Sequence, residues 1–573
     1  MKVISSTNRF WSTTQTLVFT LTVIILSGCG SRSSDNNDTI VNSDASLSAL
    51  ALSGLALDQL FQPTQSTYTA SVGYLQTSVT VSPVAADTGA TITVNGADVD
   101  SGSTSTSIAL IEGENLINLV VTAGDGITTQ SYSITLSRES AAMFAQQAYL
   151  KVNNANTFDE FGTSVAISGD TLVVGADGSE HTGAAYVFTR SDGAWNQQAI
   201  LKASNAEVSD RFGAKVTISD DTLVVGAPHE DSSARDGEAD NSALYAGAVY
   251  IFTRNNGLWN QQAFLKASNA EAEDGFGRSV GISGDTLVVG APQEDSSARN
   301  GEADNSALDA GAVYVFTRNN GLWNQQAFLK ATNAEAEDGF GGSVGISGDT
   351  LVVGAPREDS SARDGEADNS ALDAGAVYIF TRNNGLWNQQ AVFKATNAEE
   401  GDGFGASLAI LDDTLVVGAT GEDSSASGGK ADNSTTSAGA AYVFTRSGGA
   451  WTEQAYLKAS NAGEMDGFGN SVAISGDTLV VGAFFESSSV SGGEADNSAL
   501  NAGAAYVFTR NSEIWSQQTY LKVSNAEWSD LFGFSVAISG DTLVVGAPNE
   551  DSGASSGEAD NSVENAGAVY TWQ

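Results

Sequence analysis

The chain has 573 residues, with 69 Asp and Glu against 25 Lys and Arg for a formal net charge of −44. That length exceeds one ordinary core, so several domains or a repeat architecture are required. The acid excess argues against nucleic acid as a partner, because binding it rests on Lys and Arg displacing counterions from phosphates; cationic ligands, divalent metals and a merely well-solvated surface remain open.

Gly is abundant at 62 residues and Pro scarce at 6, a strand-and-turn composition that predicts an all-β protein. At the N-terminus, Lys2 and Arg9 flank a mostly apolar run from Leu17 to Leu26, which ends at Leu26-Ser27-Gly28-Cys29. The run is too short for an ordinary transmembrane helix. It resembles a bacterial lipoprotein signal peptide, 1–28, closed by a lipobox. The resemblance implies lipidation of Cys29, palmitate included, as the new N-terminus. Gly30, where inner-membrane lipoproteins carry a retaining aspartate, implies the outer membrane, with the protein periplasmic or surface-exposed. Cleavage removes Lys2 and Arg9 and makes the mature chain still more acidic. Cys29 is the only cysteine, so neither a disulfide nor a thiol catalyst is available. Polar residues up to 45 read as a flexible tether, 29–45.

Between 46 and 138, short alternating runs such as Tyr68 to Val72, Thr91 to Val94, Leu116 to Val121 and Tyr132 to Leu136 are broken by Asn95-Gly96 and Asp125-Gly126. Those dipeptides suit hairpin turns, and about 90 residues of this kind predict a β-sandwich. Leu47, Leu50 to Gly54, Phe61, Gly113-Glu114-Asn115 and the run from Tyr132 resemble the bacterial cadherin-like β-sandwich domain, which implies fold alone.

From 143 to 573 the chain repeats. Phe-Gly pairs begin at Phe161, Phe212, Phe276, Phe340, Phe404, Phe468 and Phe532, spaced by 51 residues once and by 64 five times. Each unit carries four strand-like runs, so seven units predict a seven-bladed β-propeller. Phe276-Gly277, Gly290-Ala291-Pro292 and Gly311 to Tyr314 resemble the FG-GAP repeat of integrin α-subunit propellers. The last unit stops after its third run, whereas Phe144 to Lys151 matches the fourth run Trp323 to Lys330; the segment 143–151 is therefore expected to close the ring, leaving no open edge at the seam.

The calcium loop that the resemblance implies between the first and second strands is missing: Ser283-Gly284-Asp285 supplies too few oxygen donors. Acids gather instead between the second and third strands and before the first. In unit three they are Glu271, Glu273, Asp274, Glu294, Asp295, Glu302, Asp304 and Asp309, which predicts one acidic face of the disc. The candidate metal ligands are Glu238, Asp240 and Asn241, Glu302, Asp304 and Asn305, Glu366, Asp368 and Asn369, Glu494, Asp496 and Asn497, and Glu558, Asp560 and Asn561. Carboxylate and amide oxygens are hard donors, and calcium is the candidate cation. The competing reading, favoured by Lys430 in place of the glutamate in unit five, is a solvated loop copied with its repeat.

The tryptophan series Trp195, Trp259, Trp323, Trp387, Trp451 and Trp515 suits blade packing better than sugar stacking. Of the two histidines, His181 and His229, neither lies in a repeated motif, and no catalytic residue is assigned. The leading expectation is a monomeric, membrane-anchored, non-enzymatic binding or adhesion protein that presents a propeller face to a protein or polysaccharide ligand. The alternatives are a carbohydrate-active propeller enzyme using paired carboxylates and a periplasmic envelope-assembly scaffold.

Overall fold

The computed structural model describes residues 42–573 except 54, 73–75, 77, 112, 139–144, 179–180, 234–240, 298–304, 362–368, 490–495, 512 and 554–560. Cys29, the signal segment and most of the tether lie outside the described residues. Every named element is a strand, and no helix among the described residues is long and apolar enough to cross a membrane.

In the first module, Thr67–Val72, Thr129–Arg138, Gly113–Thr122, Thr91–Val94 and Ala97–Val99 form one sheet in that spatial order. Leu47–Leu52 pairs with Val81–Ala85 in a second sheet. Alternation does the sorting: Tyr68, Ala70 and Val72 are buried while Thr67, Thr69 and Ser71 face out, as a strand with one covered face requires. The buried side joins Leu47, Val81, Ile117, Leu119, Ile134 and Leu136 in a single core. The turn between Val94 and Ala97 has positive φ at both Asn95 (48°) and Gly96 (83°), the conformation that favours an Asn-Gly pair.

Beyond it stand seven four-stranded antiparallel sheets. The third is typical: Ser279–Ser283, Thr286–Ala291, Ala312–Asn319 and Leu322–Leu329, paired in sequence order. Successive first strands touch, and that of the seventh sheet touches that of the first, which closes a ring around a central axis. Thr-Leu-Val-Val-Gly-Ala, the second strand of every blade, is wholly buried in six of the seven, because neighbouring blades cover both its faces. Gly290 shows how closely they approach: a Cβ there would lie 2.1 Å from the Gly341 carbonyl oxygen of the next blade, so no larger residue fits.

Phe276 is fully buried and meets Tyr314 edge-on at 5.4 Å, within its own blade. Trp323, 9% exposed, donates Nε1–H to Gln262 Oε1 of the preceding blade and lies under the Arg318 guanidinium at 5.2 Å; it has no free face for a sugar. On the same side of the disc, Arg318 bonds Asp285 in its own hairpin and Thr222 Oγ1 in the blade before. Gln146–Leu150 pairs with Ala568–Trp572 as the outer strand of the seventh blade. That sheet joins the two ends of the propeller.

Candidate functional site

The face opposite the arginine hairpins is built from two kinds of connection, one after each second strand and one before each first strand. In the third blade the former begins Pro292-Gln293-Glu294-Asp295-Ser296. Glu294 is 1% exposed. Its carboxylate accepts from Lys330 Nζ (3.0 Å), Ser296 N (3.1 Å), Ser296 Oγ (2.8 Å) and Asn269 Nδ2 (2.9 Å). Asn269 Oδ1 in turn accepts from Tyr314 Oη. Burial pulls the Lys330 proton affinity down, and the Glu294 charge opposes that pull. Equivalent ion pairs join Glu230 to Lys266, Glu358 to Lys394, Glu422 to Lys458, Glu486 to Lys522 and Glu550 to Lys151.

A second acid is also interior. Asp274, 3% exposed, accepts the Glu271 N–H at 2.8 Å, and burial pushes its carboxyl up to about 7 against that bond. Asp210 and Asp466 are pushed to about 6, Asp338 and Asp402 to about 7, and Asp530 to about 8, in each case chiefly by burial. The sequence-based picture of the third blade, with eight carboxylates facing solvent, is therefore corrected. Glu294 fastens the two connections together from inside through Asn269, and Asp274 ties the turn of its own connection, because a connection closing a blade must satisfy its buried donors. Glu271 and Glu273 remain exposed, as do Glu207, Glu335, Glu337 and Glu399, so the rim keeps its acidity.

Of the predicted metal ligands, Glu238, Asp240, Glu302, Asp304, Glu366, Asp368, Glu494, Glu558 and Asp560 lie outside the described residues. The asparagines that are described act as donors: Asn241 Nδ2 gives a bond to Glu207 Oε2 at 2.8 Å, and Asn305, Asn369 and Asn561 reach Glu271, Glu335 and Glu527 in the same way. Asn497 is exposed; the position matching Glu271 in its blade is Gly463. Asp496 Oδ2 accepts from Ser489 and from Ser498 Oγ, bonds that hold its carboxyl below the usual range. Among the described residues no three His, Cys, Asp or Glu come together as a metal site.

Near the axis the face changes sign. Arg211 precedes Phe212, Lys215 opens the first strand of the second blade, Arg278 follows Phe276-Gly277, and Arg357 follows the second strand of the fourth. Burial first, then Arg211 and Arg357, lower the proton affinity of Arg278, so the three guanidinium groups share one region. Arg211 pairs with the fully buried Asp177 at 2.6 Å. Lys215, Arg278 and Arg357 are exposed and make no ion pair among the described residues. Lys215 is walled in by protein yet open to the axial channel, and its low-dielectric surroundings lower its proton affinity. His229 packs at a tilt against Tyr245 at 4.6 Å beside this group, its proton affinity lowered by burial, Arg211 and Arg278. Between the sixth and seventh blades, Phe484 packs on Phe485 (3.9 Å) and Phe534 (5.8 Å). The sequence did carry a signal for this cluster: Lys215 stands where the other six units have serine.

Similarity to known proteins divides the chain at the same place as its fold. A family model described as the cadherin-like beta sandwich domain matches residues 46–139. The FG-GAP repeat model matches seven times, at 144–188, 195–252, 259–316, 323–380, 387–444, 451–508 and 515–572. A putative membrane protein of Evansella cellulosilytica is 34% identical over 105 residues, 18% of this chain and 16% of that protein. Human integrin alpha-D is 25% identical over 189 residues, 30% of this chain and 14% of the integrin. The chain thus spans less than a fifth of the length of either relative. The solved structure of a putative 6-phosphogluconolactonase from Bacteroides uniformis covers 71% of this chain and 92% of its own at 10% identity, with a TM-score of 0.41.

Proposed function

We propose that this chain, which belongs to the FG-GAP repeat family, is a non-catalytic binding or adhesion module of the cell envelope whose ligand docks on the axial part of the acid-rimmed face. One observation carries the reading: Arg278 shares a region with Arg211 and Arg357, Lys215 stands exposed at the start of the first strand in the adjoining second blade, and Lys215, Arg278 and Arg357 have no carboxylate partner among the described residues, in a chain with 69 acids. Like charges held together without counterions repel one another, and a bound ligand with complementary charge relieves that cost. The aromatic cluster of Phe484, Phe485 and Phe534 supplies apolar contact area of the sort that anchors interfaces.

A catalytic use of the raised aspartates is disfavoured by their placement. Asp274 and its counterparts recur in six blades, each spent on a backbone N–H and closed from solvent, whereas acid–base catalysis needs a group within reach of substrate. The anchor belongs to the same proposal: acylation at Cys29 holds the module at the outer membrane, with residues 29–45 as tether.

The test uses cells displaying the full-length chain on surfaces coated with acidic polysaccharide, neutral polysaccharide or protein. Adhesion to at least one surface is expected, with a tenfold or greater fall for the K215A/R278A/R357A variant and little change for E273Q/E337Q on the rim. Equal adhesion by the axial variant, or none by the parent chain, removes the proposal. Loss of fatty-acid labelling in Cys29→Ser is the separate check on the anchor.

A further inference from the structure

We propose that the partner docking at the axial arginines is a polypeptide that offers an isolated acidic group, and that Glu273, Glu337 and Asp309 bar continuous polyanions, such as uronic-acid polysaccharides, from the same place. The inference rests on the axial reading above and narrows it to one class of partner.

Both signs of charge depart from the repeat in the same two blades. Arg278 stands where no other unit carries a charged residue, and Arg357 where the others have Gly, His, Gln, Phe or Asn. Glu273 and Glu337 are likewise confined to the third and fourth blades: the equivalent positions elsewhere are Phe158, Ser209, Gly401, Met465 and Ser529. Backbone bonds bring the two sets together. Glu337 N donates to Leu308 O at 2.8 Å and Gly339 N to Asp309 O at 3.0 Å, so the turn carrying Glu337 is laced to the loop carrying Asp309. Asp309 registers both signs: burial raises its proton affinity first and Asp295 adds to that, Arg357 pulls it back, and Glu337 and Glu273 raise it again. Arg357 acts in turn on Arg278.

The fold does not use up these charges. Glu273 and Glu337 are exposed, and their side chains make no hydrogen bond or ion pair among the described residues. An anionic group arriving at Arg278 and Arg357 meets two guanidinium forks with open donors, the geometry that suits a carboxylate, and it meets carboxylates beside them. A single acidic side chain on an uncharged stretch gains the attraction and sets nothing against those carboxylates. On a polymer with an acid on every sugar, the neighbouring charges lie within one Debye length of the bound one, about 8 Å at physiological salt. They therefore come against Glu273, Glu337 and Asp309 with little screening, and like charges juxtaposed across an interface reject the wrong partner. Polypeptides place single acids among uncharged residues, whereas a uronic-acid chain carries its charge without a break.

Cells displaying the full-length chain are mixed with beads sparsely coated with the acetylated peptide Gly-Gly-Asp-Gly-Gly tethered by its C-terminus, with its Asn counterpart, or with polygalacturonate. The Asp beads are expected to be retained at least tenfold over the Asn beads and to be released by R278A/R357A. Polygalacturonate beads are expected to pass the parent and to be captured at least tenfold more by E273Q/E337Q. All four positions are exposed, so both variants should unfold at the parent's urea midpoint; R278Q/R357Q, which keeps polar side chains, replaces the alanine variant if that one does not. Asp and Asn beads held alike by the parent, polygalacturonate held as well as the Asp beads, or no gain in E273Q/E337Q overturns the proposal, while release by R278A/R357A still upholds the axial site. Beads held equally by the parent and R278A/R357A, or no bead held at all, overturn both.

Discussion

Replacing Glu294 with glutamine changes one charge and almost no volume, and the surroundings of that side chain set the cost. Its carboxylate receives four donors, Ser296 N, Ser296 Oγ, Asn269 Nδ2 and Lys330 Nζ. Glutamine brings one acceptor oxygen and one NH2 group, so in either orientation a donor faces donors. The side chains of Lys330 and Glu294 are 6% and 2% exposed, so solvent cannot take over. Removing one partner of such a buried pair costs about 3–5 kcal/mol, because the remaining charge is left uncompensated. Lys330 without Glu294 has a folded proton affinity still further below its unfolded value. The penalty is therefore full at low pH, where the unfolded lysine is protonated, and it shrinks as pH rises toward about 10.4, the unfolded lysine value. Urea unfolding of the parent, E294Q, K330M and the double variant completes a cycle, with the double variant expected to be less destabilised than the sum of the singles. A loss below about 1 kcal/mol in E294Q, an additive cycle, or a penalty that grows with pH would refute the buried-pair argument.

The raised aspartates predict the pH profile of the parent: their folded pKa values, about 6 to 8, exceed the unfolded value of about 3.9, so they favour folding at low pH and that support is lost as pH rises through 6 to 8. Urea midpoints should be higher at pH 5.5 than at pH 8.5, the slope should be smaller in Asp274→Asn, and a flat profile in the parent contradicts the assignment. Deleting Phe144 to Lys151 strips the outer strand from the seventh blade together with the Lys151–Glu550 pair; a lower melting temperature and aggregation on a sizing column are expected, and a stable monomer would mean the ring closes otherwise. Calcium titrated into the protein in high sodium should give no stoichiometric heat, since Asn305 and its counterparts already bond rim glutamates; several saturable sites would restore the loops as ligands.

The scaffold was legible because repetition amplifies weak signals. One Thr-Leu-Val-Val-Gly-Ala run is ambiguous between strand and buried helix, but seven of them, each before a strand that opens Ala-Ala-Tyr or Ala-Val-Tyr, fix a radial array of four-stranded sheets. The Trp323 series was legible for the same reason, since a residue repeated at one position in six blades packs against its neighbour. What repetition hides is direction. Glu273 and Glu294 are both acids in polar connections of one face, and no periodicity separates the side chain that turns inward from the one that stays exposed. The distinction depends on Lys330 and Asn269, 36 and 25 residues from Glu294 in sequence and brought together by the blade's closure.

The same logic places the candidate sites at departures from the repeat. A residue common to all blades can be explained by what all blades need, namely packing, turn geometry and mutual fastening. A departure at a structurally strict position has no such explanation. Lys215 replaces a serine whose counterpart Ser279 bonds the Gly341 carbonyl of the next blade at 2.7 Å, so the lysine forgoes a blade-to-blade bond and puts a charge at the channel mouth. Among the described residues the first blade's short connection likewise shows no counterpart of the ion pair that six blades keep. The Lys215 departure gives up a stabilising contact and leaves a cation facing an accessible space, an arrangement the fold itself does not require. Restoring the repeat therefore separates structure from function: Lys215→Ser is expected to leave the urea midpoint unchanged or raised, as the inter-blade bond is recovered, while adhesion falls. A variant that loses stability and keeps adhesion would assign Lys215 to the scaffold.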